Sequence, residues 1–336
     1  MTITIQEAGD KSQDEWDKAV ESSSHGTIFH TWNWLKIVEK QTGTRLIPLM
    51  AYKGTQLVAL YPVFIQKRGI FTLAFSPPSK TYLLYLGPVI CDYDNLKQDK
   101  RESLLLELQE GVDKLLVSEI GCHYIRIRPS PGIYDARYLQ WTGYMVSPQY
   151  THRFELSDGL EKIWSGFDRK LRTNINKAER AKIEVKEGNL EDLLAIAGKL
   201  DRRFKEQGIK SYDYTGYLTD LYNMFSPEHL KVFTAYYNGE RAGGMVALCY
   251  NRILYAWIGI PKADVPGLSP NDLVQWEAIK WASAHGYRAY EMMSAGDTIR
   301  LRRHKAQYNP ELCIWYTAEK YSSALSKMFG TMSELL

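Results

Sequence analysis

The sequence predicts an α/β (α+β) protein made of two tandem copies of one supersecondary unit. Three observations carry that prediction. The chain has 336 residues, room for about two domains of roughly 150 residues each. The order helix, helix, hairpin, strand, helix, glycine, strand runs through it twice. Gly54-Thr-Gln-Leu-Val-Ala-Leu-Tyr-Pro-Val in the first half also resembles Gly239-Glu-Arg-Ala-Gly-Gly-Met-Val-Ala-Leu in the second, the self-similarity expected of a duplicated unit.

The first copy begins with helical stretches at Ser12 to Glu21 and around Trp32 to Lys40. Leu46 to Tyr52 and Leu57 to Ile65 are apolar, β-rich arms around Lys53-Gly54, and so a hairpin. Strands are expected at Ile70 to Ala74 and Tyr82 to Cys91. Leu and Val at three- and four-residue spacings make Lys100 to Ser118 a helix. Gly121 then leads into the alternating strand His123 to Arg128.

The second copy repeats the order. Asn189 to Gln207 and Tyr217 to Met224 read as helices. Leu230 to Tyr236, Asn238-Gly239 and Ala242 to Tyr250 read as a hairpin, and Leu254 to Ile260 as a strand. The helix Asn271 to His285 ends at Gly286, a left-handed stop, before the strand Tyr287 to Met293. The expected domains are residues 1–155 and 156–336. The second carries a linker helix over 160–181 with a basic run, in which Lys170, Asn174 and Lys177 lie near one face.

Bulk chemistry narrows the functional classes. A hydrophobic share of 45% and a charged share of 24% are those of a globular protein. A net charge of only +3 argues against stable DNA binding and leaves room for local basic patches. Cys91, Cys122, Cys249 and Cys313 are isolated, which points to reduced thiols rather than disulfides or zinc. The polar start and the lack of an apolar run of about 18 residues predict a cytoplasmic protein with no transmembrane segment. There is no GxSxG elbow, P-loop or HExxH. Cys122 and His123 are strand neighbours and face opposite ways. No metal is expected.

Several phrases in order carry a family resemblance. They are Ile163-Trp-Ser-Gly-Phe-Asp-Arg-Lys-Leu-Arg-Thr-Asn-Ile-Asn-Lys-Ala-Glu-Arg, Tyr237-Asn-Gly-Glu-Arg-Ala-Gly-Gly, Asn271-Asp-Leu-Val-Gln-Trp-Glu-Ala-Ile-Lys-Trp-Ala, Gly286-Tyr-Arg-Ala-Tyr-Glu, Gly296-Asp297 and Lys305-Ala-Gln-Tyr-Asn. Together they resemble the FemAB-like branch of the GNAT superfamily, which includes the peptidoglycan interpeptide-bridge aminoacyltransferases. The resemblance implies two tandem GNAT-like (acyl-CoA N-acyltransferase) domains with a cleft near their junction. It implies transfer of an acyl or aminoacyl group to an amine, on a cell-wall or surface-polymer precursor or on a small amine. The acceptor would be a small-molecule or lipid- or nucleotide-linked precursor. The co-substrate would be aminoacyl-tRNA or acyl-CoA, with no bound cofactor. Two departures stand out. The long charged coiled-coil insertion of some members is missing. The glycine-rich loop that holds the CoA pyrophosphate in ordinary GNAT enzymes is replaced by Pro266-Gly-Leu-Ser-Pro-Asn-Asp. A catalytically inactive module binding an anionic polymer is the rival reading.

Acyl transfer to an amine needs amine deprotonation, oxyanion donors and two substrates in register. Lys305 aligns with the lysine that follows the Gly-Asp element of Fem-like proteins and sits in the run Arg300, Arg302, Arg303, His304. Either it stabilises an oxyanion or phosphate, or it belongs to a solvated basic loop. Lys170, Arg172 and Lys177 either clamp a phosphate or face water. Asn271 and Asp272 are candidate N-caps or anion binders. Glu277 and Glu291 are the candidate bases, Glu277 through burial among Trp276, Ile279 and Trp281 or else on an outer helix face. Trp32, Trp34 and Lys36 form a Thr-Trp-Asn-Trp turn that either reaches the cleft or is core. Tyr212, Tyr214, Tyr217 and Tyr308 are candidate acceptor contacts.

Overall fold

The computed structural model describes residues 2–208, 212–259, 265–294 and 298–322. The chain divides into two compact units, one formed up to Gln149 and again from Ile314 onward, the other from Tyr150 to Cys313.

The first unit contains β1 (Ile3–Glu7), α1 (Gln13–Ser22), α2 (Trp32–Thr42), β2 (Arg45–Lys53), β3 (Gln56–Arg68), β4 (Phe71–Ser76), β5 (Val89–Ile90), α3 (Gln98–Asp113), β6 (Tyr124–Ile127) and α4 (Arg137–Trp141). Strands β1 to β4 form an antiparallel meander, β5 pairs with β3, and β6 adds parallel to β4. The crossover from β4 to β6 carries α3, whose Leu105, Leu108 and Val112 pack on Ile47, Val63, Ile125 and Ile127 of the sheet. Tyr82 to Cys91, expected as a strand, keeps only β5. Lys80, Tyr82 and Gly87 have positive φ (66°, 55° and 72°) and Pro88 has no donor, so a continuous ladder cannot form there.

Residues Ala318 to Tyr321 pair antiparallel with β6. A sequence boundary at 155 puts them in the second half; that ladder is why they belong to the first unit. Lys320 fastens the strand further, donating to Asp113 at 2.6 Å and to the Thr142 carbonyl at 2.7 Å.

The second unit contains part of β7 (Met145–Glu155), then α5 (Leu160–Gly166), α6 (Arg169–Arg180), β8 (Glu184–Glu187), α7 (Leu190–Glu206), α8 (Thr215–Phe225), β9 (Leu230–Tyr237), β10 (Glu240–Tyr250), β11 (Ile253–Gly259), α9 (Pro270–Ala284), β12 (Ala289–Ser294) and α10 (Ile299–Ala306); β13 (Glu311–Tyr321) ends the described chain. Strands β8 to β11 form an antiparallel meander, β12 joins parallel to β11, and β7 lines up antiparallel on β12. Each unit is therefore closed by a strand from the other half of the sequence.

The hairpins share a defect. Val58 is the extra residue between the pairs Tyr52–Leu57 and Ala51–Ala59, and Ala242 is extra between Arg241–Tyr236 and Gly243–Ala235. Both are the third residue of the second arm. A bulge at the same place is not demanded by a helix–glycine–strand order, so it marks the duplication more sharply than the element order does. Strands β1 and β8 are not evident from sequence, because β8 reads Glu-Val-Lys-Glu and is mostly exposed, the charged habit of an edge strand.

The helix expected over 160–181 is broken. Phe167 leaves helical geometry (φ −66°, ψ 143°), and the Asp168 carboxylate caps α6 by accepting from the Lys170 amide at 2.7 Å. The break turns Phe167 into the core, 2% exposed, with its ring against those of Trp164, Trp276 and Tyr308. Phe167→Ala is expected to destabilise the protein by about 3–5 kcal/mol in urea unfolding, far more than Ser165→Ala on the exposed side of α5.

Candidate active site

The second unit opens its sheet where the first does not. β11 and β12 pair at Ile253–Ala289, Leu254–Tyr290 and Tyr255–Glu291. Beyond that point β11 runs to Gly259 and β12 to Ser294, with no further pair between them among the described residues. In the first unit β4 and β6 pair from Leu73–Tyr124 to Ser76–Ile127, where both strands end. Trp257 adds a bulge to β11, standing between the pairs Val246–Ile258 and Ala247–Ala256, and bends it just past the last shared pair.

β12 is irregular at the same level. Glu291 pairs with Arg153 and Ser294 with Thr151, so Met292 and Met293 together oppose His152. Met293 is left-handed, at φ 59°, a conformation a non-glycine side chain adopts at a cost. The result turns two carbonyls toward α10. Lys305 Nζ donates to the Met292 oxygen and, at 2.8 Å, to the Met293 oxygen. Lys305 is 8% exposed. Burial pushes its ammonium down to about 8, with Glu291 pulling the other way. Glu291 is fully buried and accepts from Thr151 Oγ1 at 3.0 Å and Arg153 Nη2 at 2.8 Å. His152 lies with Nδ1 3.5 Å from the Met293 oxygen; burial, then Lys305, hold it below its ordinary range.

A second cluster lies at the start of α9. Asp272 is 6% exposed and accepts from Tyr308 at 3.1 Å and from Asn174 Nδ2 at 3.2 Å. His304 Nε2 stands 3.9 Å from it; burial depresses that imidazole while Asp272 raises it. Asn271 accepts from the Gly244 amide at 3.3 Å. A Cβ on Gly243 would come within 2.5 Å of its Oδ1, so that approach requires glycine. Asn271 and Asp272, expected as caps, are not the N-cap of α9; Ser269 holds that position. Their side chains instead tie α9 to β10, α6 and the segment after α10.

The remaining candidates are distributed as follows. Lys177 donates to the Gly267 carbonyl at 2.8 Å, at the loop standing where the CoA loop is expected. Lys170 is exposed and Arg172 partly so. Of the two readings open for Glu277, the structure gives the outer helix face. It lies five residues after Asp272, about 140° around the helix, half-exposed and paired with Lys280 at 2.6 Å. In the first unit Trp32 is core, 3% exposed, edge-on to Trp16. Lys36 pairs with Glu39 at 3.1 Å. Tyr308 and Tyr217 are buried. Residues 300–305 form most of α10, not a loop. Gly296-Asp297 lies outside the described residues. Arg153, Thr151 and His152 were missed because β7 meets β12 across nearly the whole unit, and no local pattern announces such a pair.

This fold and strand gap are those of a GNAT-type fold. Residues 165–306 match the acetyltransferase (GNAT) domain family, and over its whole length the chain is similar in fold to solved tandem GNAT proteins. The crystal structure of FemX has a TM-score of 0.73 at 13% identity, covering 98% of this chain and 99% of that one. The L-PGS structure from Bacillus licheniformis gives 0.60 at 14%, over 98% of each chain. A tandem GNAT protein from the clavulanic acid biosynthesis pathway gives 0.56 at 11%, over 96% and 98%. At these identities the likeness is one of fold. No curated protein matches by sequence. No described helix is long and apolar enough to cross a membrane.

Lys305 has a pH signature. Its folded value near 8 lies below the ordinary 10.5, so from roughly pH 8 to 10.5 the unfolded chain holds a proton that the folded chain has lost. Stability therefore rises with pH in that window relative to Lys305→Met, while below it both states are protonated and the difference is flat. Urea unfolding of the two proteins across the window checks this.

Proposed function

We propose that the chain is an N-acyltransferase that moves an acyl or aminoacyl group onto the amine of a cell-wall or surface-polymer precursor. The observation that carries the reading is Lys305, a buried ammonium on α10 that donates to two carbonyls of β12 at the level where β11 and β12 part. As the acceptor nitrogen forms its bond to the acyl carbon, the carbonyl electron pair becomes an oxyanion. Lys305 supports that charge in a water-poor site, where a fixed donor is worth most. Collapse breaks the bond to the donor oxygen or sulfur, and the proton leaving the amine nitrogen goes to that leaving group, which departs as the alcohol or thiol. Glu291 is committed to Thr151 and Arg153 and acts as a positioning residue for β12. Asp272 and Tyr308 hold α9 and α10 in register. Lys177 beside Gly267, with Lys170 and Arg172 on α6, supplies cations for a phosphate-bearing substrate.

Two donors have support. The family match over 165–306 and the strand gap favour an acyl thioester of CoA. The absent glycine-rich loop and the full-length likeness to FemX favour aminoacyl-tRNA. Calorimetric titration with CoA and acetyl-CoA at moderate salt separates them: micromolar binding assigns the thioester, and no heat with either directs the search to aminoacyl-tRNA. With the donor in hand, Lys305→Met is expected to lower kcat by about 10²–10³-fold with an unchanged circular dichroism spectrum, and Glu277→Gln to stay within about twofold of wild type. Full turnover by Lys305→Met would sink the assignment. Salt-sensitive binding without turnover would instead mark a binding module.

A further inference from the structure

The first unit has no strand gap, yet its sheet carries an unbalanced charge that the acyl-transfer reading does not use. Arg126 and Arg128 are alternate residues at the C-terminal end of β6 and the residue beyond it, so both project from the same face of the sheet. The Arg126 guanidinium lies 4.9 Å from the Phe75 ring centroid and donates from Nη2 to Ser79 Oγ at 2.8 Å. The Nε atoms of both arginines are buried and make no hydrogen bond. Neither forms an ion pair with a carboxylate among the described residues. Glu319, across the ladder from Arg126, is the acidic group whose field reaches both, and it accepts from the Tyr124 hydroxyl. Burial pushes both guanidinium groups down, Arg128 to about 10 with help from its repulsion by Arg126. Two adjacent, largely desolvated cations against one engaged carboxylate are a costly arrangement for folding alone.

We propose that Arg126 and Arg128 form an oxyanion site that binds the phosphate group of a ligand. A carboxylate fills one guanidinium fork. A phosphate has oxygens enough for both forks and for the Ser79 hydroxyl, which accepts from Arg126 and so directs its own proton elsewhere. The site is independent of acyl transfer, so it is measured by binding.

The test is calorimetric titration of the full chain with inorganic phosphate and pyrophosphate, with acetate as the competing carboxylate. Saturable phosphate or pyrophosphate binding is expected. It should be weakened about tenfold or more by Arg128→Gln, the loss of one charge-assisted hydrogen-bonding group, partly retained by Arg128→Lys, and insensitive to acetate. Without ligand, Arg128→Gln should be at least as stable as wild type, since it removes an uncompensated charge. Unchanged affinity in Arg128→Gln, no saturable binding, or equal competition by acetate each overturns the proposal. So does a marked loss of stability in Arg128→Gln, which would make Arg128 a structural residue.

Discussion

A lysine ammonium removed from water needs oxygens fixed around it, and the end of β12 is shaped by that need. The bulge at Met292 and Met293 and the left-handed Met293 break the ladder just where β12 leaves β11. They turn two backbone carbonyls to Lys305. A regular strand would have spent those carbonyls on its neighbours. The irregular backbone, the parted strands and the buried cation are thus one feature. Glu291 sits one residue before the bulge and is pinned by Thr151 and Arg153, so β7 from the middle of the chain fixes where the bulge begins.

The aromatic packing behind α9 holds the second cluster to the same standard. Phe167, Trp164, Trp276 and Tyr308 form contiguous ring contacts, and Tyr308 carries its hydroxyl from that apolar mass to Asp272. The break between α5 and α6 is what lets Phe167 enter. It also sets the face of α6 from which Asn174 reaches Asp272 and Lys177 reaches Gly267. A continuous helix would have carried those side chains around its axis at 100° per residue.

The two units diverge although they share one plan. Their hairpins keep a bulge at the same third position, yet β4 and β6 stay paired to their ends while β11 and β12 separate. Periodicity, turn residues and internal similarity made the hairpins, the long helices and the duplication legible, since each is a local property. Lys305 was singled out only through the resemblance to Fem-like proteins, which left a solvated basic loop open; its burial is a finding of the tertiary structure. The sequence left two readings of Glu277 open for a physical reason. Apolar neighbours in sequence do not tell which side of a helix a residue takes, and Glu277 lies on the side that meets Lys280 and solvent. Asn271 and Asp272 were recognised as polar residues opening a helix, but their partners lie on β10, α6 and the turn after α10, far away in sequence.

By itself the sequence determined the class of fold and the two copies of the unit. These follow from patterns only a few residues long. Tertiary structure alone decided that β13 closes the first unit and β7 the second, because an alternating strand presents the same pattern to either partner. It alone decided that β11 and β12 part and that Lys305 is buried. Desolvation depends on what surrounds a side chain in space, and for Lys305 that includes the β12 carbonyls and His152 of β7, from the middle of the chain.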